Sequence, residues 1–71
     1  MTPGTLVTLA GGYEGLHLFT RDLDPQAQIF HNDVYVICAV ERLDSAIDGT
    51  LLLVLGLGGL GWVNREWMEE V

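Results

Sequence analysis

Glycines at positions 56, 58 and 61 follow an apolar run, giving the Gly-x-Gly-x-x-Gly spacing with which some chains wrap a dinucleotide pyrophosphate. That chemistry needs the third glycine to open a helix, with an acid about 20 residues further on. Only Trp62 to Val71 follow Gly61, too few for the second half of a βαβ unit. The glycines are therefore expected to form a hairpin, and no cofactor is expected.

Glu14, Asp22 and Asp24 cluster in sequence and can accept charge-assisted hydrogen bonds from a ligand arginine or lysine, although Arg21 lies among them. General acid and base work needs two carboxylates set across a substrate with separated pKa values, and no apolar pocket to do that is legible. His17 and His31 each lack a second ligand at metal-site spacing. The stretch from Asp44 to Gly49 is short and poor in ligands for a calcium loop. Cys38 lies among valines and is expected to be a small buried hydrophobe. No nucleophile and base stand at a catalytic spacing, so a non-enzymatic role is expected. Trp62 and Trp67 remain: such residues serve as core or, when exposed, as recognition hot spots.

The elements that position these residues belong to one small domain, residues 1–71. A chain of 71 residues buries only about 60% of its unfolded surface, and a single cysteine excludes an internal disulfide, so self-association is the expected supplement. Ten acids against three arginines, with no lysine, give a net charge of −7. This disfavours direct nucleic-acid binding, whose affinity comes from lysine and arginine, and anionic membrane surfaces. It allows a basic protein partner, mimicry of nucleic acid, or simple solubility. The longest uncharged apolar stretch, Thr50 to Val63, is shorter than the roughly 17 to 25 residues a membrane-spanning helix needs. No secretory signal is visible at the start, and a cytoplasmic location is expected.

Thr5 to Leu9 is predicted as a first strand. Ala10 to Gln28 is predicted as a long irregular excursion whose only strand-like fragment is Leu16 to Phe19. After a turn at Asn32-Asp33, Val34 to Val40 is predicted as the central strand, with Val34, Val36, Cys38 and Val40 inward. Glu41 to Gly49 is expected to be a loop that holds a helical turn at Asp44 to Ile47. Thr50 to Leu55 follows as a strand apolar on both faces, which calls for a covering surface from the excursion or a second subunit. Gly56 to Gly59 supplies a hairpin with positive-φ positions, and Leu60 to Val63 returns as a strand. Asn64 caps one helical turn that ends at Trp67, and Met68 to Val71 forms the last strand.

The tail Gly61-Trp62-Val63-Asn64-Arg65-Glu66-Trp67-Met68 resembles the end of a Src-homology-3 domain, and also its bacterial branch, whose members commonly end Gly-Trp-Val before a further aromatic and aliphatic. The element order is similar over nearly the whole chain. The resemblance implies an all-β, Src-homology-3-like barrel of about five antiparallel strands with one short helical turn near the C-terminus. By position it implies Trp67 as a groove aromatic, with Tyr13 and Phe19 as further candidates. Asn64 stands where peptide-binding members carry proline, and Gly49-Thr50-Leu51 opens its strand without their tryptophan. Proline-rich ligands are thus not implied.

The expected function is a protein-interaction or assembly module, acting through Trp67, Trp62, Tyr13, Glu14, Asp22 and Asp24 and through self-association. An acidic inhibitor or nucleic-acid mimic that blocks a basic site is the alternative.

Overall fold

A computed structural model describes residues 1–22, 24–42 and 49–71. The chain forms β1 (Leu6–Leu9), β2 (His17–Phe19), β3 (Pro25–Gln28), β4 (Tyr35–Arg42), β5 (Thr50–Gly56), β6 (Gly59–Asn64) and β7 (Met68–Glu70), with a 3₁₀ turn at Arg65–Trp67 before β7. All seven strands join one antiparallel sheet in the order β3-β2-β6-β5-β4-β1-β7, curled into a half-barrel. The additional strands beyond the five expected are β2 and β3, a hairpin made from the excursion. Strand β3 is polar and opens on Pro25, which suits an edge strand whose first residue needs no ladder N–H.

The core comprises Val7, Leu9, Leu18, Ile29, Tyr35, Ile37, Leu52, Val54, Val63 and Met68. This corrects the inward face of the central strand. Tyr35 and Ile37 are buried, whereas Val34 and Val40 are 48% and 37% exposed and Cys38 is an exposed free thiol. Two physical features decide it. The Tyr35 ring fills the interior while its hydroxyl reaches Asp33 Oδ2 at 3.3 Å, so a large aromatic sits in the core with its polar tip at the margin. The register also shifts between Ile37 and Ala39, leaving Cys38 as the extra residue of a bulge. Beyond it, Val40 opposes the buried Leu52 and Ala39 opposes Leu53. The helical turn expected at Asp44 to Ile47 lies outside the described residues.

The glycine-rich segment is the hairpin between β5 and β6, with Gly56 opposite Gly59. Gly59 has φ +124°, which a side chain tolerates poorly. The other glycines are needed for close approach. A Cβ at Gly56 would lie 2.6 Å from Cδ1 of Tyr35, and one at Gly58 would lie 2.9 Å from its hydroxyl. The same tyrosine therefore packs beneath both Gly56 and Gly58.

Asn64 caps the 3₁₀ turn as expected, its Oδ1 accepting from the Glu66 N–H at 2.8 Å. The turn is tied to the first loop, where the Ala10 N–H donates to the Trp67 carbonyl at 2.8 Å. Replacing Asn64 by Ala is expected to cost about 1 kcal/mol. Urea unfolding followed by tryptophan fluorescence measures that loss, and an unchanged midpoint would show the cap to be unimportant.

Candidate functional site

Strand pairing places Phe19 of β2 directly opposite Trp62 of β6, and the 3₁₀ turn brings Trp67 back over the same end of the sheet. The Phe19 and Trp67 rings lie 6.1 Å apart between centroids, tilted by 51°. That geometry falls within the favourable range for aromatic pairs. Together with Leu51, Trp62, Val63 and Asn64 these rings line an open cleft of about 240 Å³. Trp62 and Trp67 are both half-buried, so each offers a face to solvent while anchored in the fold.

Arg21 lies over this surface. Its guanidinium carbon is 5.4 Å from the centroid of Trp62, within cation–π range. It also holds Glu41 of β4 with contacts of 3.2 Å (Nη1 to Oε2) and 3.4 Å (Nη2 to Oε1). The side chains are 71% and 42% exposed, so solvent screens the pair and it contributes little to stability. Exchange of either partner for a ligand group is correspondingly cheap.

The residues expected to act together take the following places. Trp62 and Trp67 share the cleft. Tyr13 is half-buried and packs against the core cluster. Glu14 is exposed and borders a separate depression of about 370 Å³ with Gly15, Gln28, Ile29, Phe30 and His31. Asp22 and Asp24 are exposed in the turn between β2 and β3, where the Thr20 N–H donates to the Asp24 carbonyl at 2.8 Å and the Asp24 N–H to Thr20 Oγ1 at 3.1 Å. Arg21, read in sequence beside those aspartates, pairs with Glu41 instead. Leu51, Asn64 and the Arg21–Glu41 pair were not expected at the site. The spacing of Phe19 and Arg21 at i and i+2, which favours one side of an extended chain, is the signal that points to them.

Among the described residues, no group of three or more His, Cys, Asp or Glu side chains converges, and no helix is long and apolar enough to cross a membrane. Comparison with protein-family models, curated proteins and solved structures gives no match. Fold and site thus define a small all-β domain, a curled antiparallel sheet with an aromatic cleft at one end.

Proposed function

We propose that this chain is a non-enzymatic protein-interaction and assembly module of the Src-homology-3-like type, which binds a protein partner at the Phe19–Trp62–Trp67 cleft and also self-associates. The observation that carries the reading is the pairing of two half-exposed tryptophans with an exchangeable Arg21–Glu41 ion pair at one surface. Aromatic anchors in a partly desolvated depression are the usual energetic centre of a protein contact. The type is supported by the strand order, by the antiparallel pairing of β1 with β4, and by the 3₁₀ turn directly before the last strand. The partner presents an apolar side chain to the cleft and carries net positive charge, in keeping with the charge of −7. The alternative, an acidic inhibitor or nucleic-acid mimic, draws its support from that charge alone.

Replacing Trp62 by a photoreactive residue crosslinks the partner for isolation, after which affinities are measured with the purified pair. Trp62→Ala is expected to weaken binding by about 30-fold or more, in the range of a truncated hot spot. Affinity unchanged in this variant overturns the cleft as the site. Binding that survives the change yet collapses with added salt points to the acidic-mimic reading.

A further inference from the structure

The inner face of the sheet accounts for the core, but the outer face carries an apolar row of its own. Strand register sets Leu6 opposite Val36, Val36 opposite Leu55, and Leu55 opposite Leu60. Four neighbouring strands, β1, β4, β5 and β6, thus present one aliphatic side chain each, side by side across the sheet. Leu6, Leu55 and Leu60 are 51%, 47% and 49% exposed. At the β5–β6 turn, Val34 and the fully exposed Leu57 border one shallow depression and continue the patch.

We infer that this outer face binds a second copy of the chain, forming a twofold dimer in which the Leu6–Val36–Leu55–Leu60 rows of two sheets pack face to face. The inference rests on the self-association part of the proposed function and gives it a surface. The six side chains leave on the order of 500 Å² in water, about a tenth of the 4485 Å² surface, so two copies bury about 1,000 Å², the lower limit for a specific interface. An exposed apolar patch of about 300–600 Å² is the size that often marks a contact surface on a small chain. A twofold interface requires the same patch on both sides, and a row of aliphatic residues is self-complementary when two sheets stack about 10 Å apart with side chains interdigitating. None of the six residues is charged, and although Asn32 and Asp33 border the depression beside Val34 and Leu57, the Leu6–Val36–Leu55–Leu60 row itself offers no carboxylate to a basic partner. The row lies mainly on β1, β4 and β5, whereas the aromatic cleft takes only Leu51 of β5 and Trp62 to Asn64 of β6, so the two surfaces adjoin at Leu60 and Trp62.

Charge gives the dimer a distinguishing signature. Two chains of −7 repel each other, so added salt strengthens their association by screening. A contact with a basic partner weakens instead.

Sedimentation equilibrium of the full chain, across a concentration series and at low and high salt, tests the proposal. The expected result is a monomer–dimer equilibrium that tightens with salt. Leu55→Lys with Leu60→Lys is expected to weaken it by about 100-fold or more, since two buried leucines are lost and like charges face each other. Both sites are half-exposed, and an unchanged near-UV circular dichroism spectrum shows that the fold survives. Leu57→Lys, at a fully exposed turn position, is a second variant with no core role and is expected to weaken the dimer to a smaller degree. Trp62→Ala, at the border of the row, is expected to weaken the dimer far less than Leu55→Lys with Leu60→Lys. A dimer that persists in Leu55→Lys with Leu60→Lys overturns this surface while self-association stands. A strict monomer at every concentration overturns both.

Discussion

Replacing Tyr35 by Ala is expected to destabilise the chain by about 4 kcal/mol, in the range for deleting a fully buried aromatic side chain. Tyr35 is wholly buried, and its ring also forms the floor beneath Gly56 and Gly58, so its loss opens a cavity between β4 and the β5–β6 hairpin. A domain of this size has a total stability of roughly 4–10 kcal/mol, so the variant keeps roughly 0–6 kcal/mol and is expected to unfold at a much lower urea concentration. Val36→Ala, one position along on the opposite face, is expected to cost about 1 kcal/mol or less, in keeping with a partly exposed side chain. Urea unfolding of the two variants decides the inward face of β4. Equal losses, or a larger loss at Val36, would refute the register.

Tyr35→Phe separates the ring from its hydroxyl. Burial, followed by the neighbouring Asp33 carboxylate and its hydrogen bond, raises the Tyr35 pKa above the ordinary tyrosine value. The folded state therefore holds its phenol proton to higher pH than the unfolded chain. This contribution is intact below about pH 10, the unfolded value, and is lost as pH rises from there through the folded value. The Phe variant is expected to lack that part of the alkaline decline, which a series of unfolding curves above neutral pH measures.

Gly61→Ala is expected to cost about 3 kcal/mol, at the upper end of overpacking. The added methyl would lie 2.6 Å from Leu18 Cβ, 3.2 Å from the Phe19 carbonyl oxygen and 3.3 Å from the Phe19 nitrogen. A Cβ and two backbone atoms cannot rotate away, so β2 must separate from β6. The same movement pulls Phe19 from its place opposite Trp62, and partner affinity is expected to fall with stability. The modest gain from replacing a strand glycine, roughly 0.5–1 kcal/mol, does not offset the clash. Gly11→Ala serves as control, since nothing lies within 4 Å of its Cβ position, and is expected to change stability by no more than about 0.5 kcal/mol. Similar losses at the two glycines would show that the β2–β6 approach is looser than described.

About half of the candidate cleft was legible before the fold. Trp62 and Trp67 stand out by type and spacing, and Phe19 follows from its position in the resemblance. Arg21 and Glu41 are 20 positions apart, and nothing local joins them. Tyr13 and Glu14 precede β2, and Asp22 and Asp24 lie together in the β2–β3 turn beside Arg21, so nearness in sequence does not by itself relate the four to the cleft.

The glycine hairpin, the Asn64-capped 3₁₀ turn and the apolar strands are legible in the residue order because short-range backbone chemistry controls them. Those depend on steric limits and hydrogen bonds within a few residues. Which face of β4 turns inward, the pairing of polar Pro25–Gln28 as an edge strand, and which aromatic and charged side chains meet all depend on packing between distant segments. A strand apolar on both sides carries no parity signal, and one bulge at Cys38 reverses the alternation beyond it. Register is set by contacts between residues distant in the chain, and the outer leucine row exists only once four strands have been aligned.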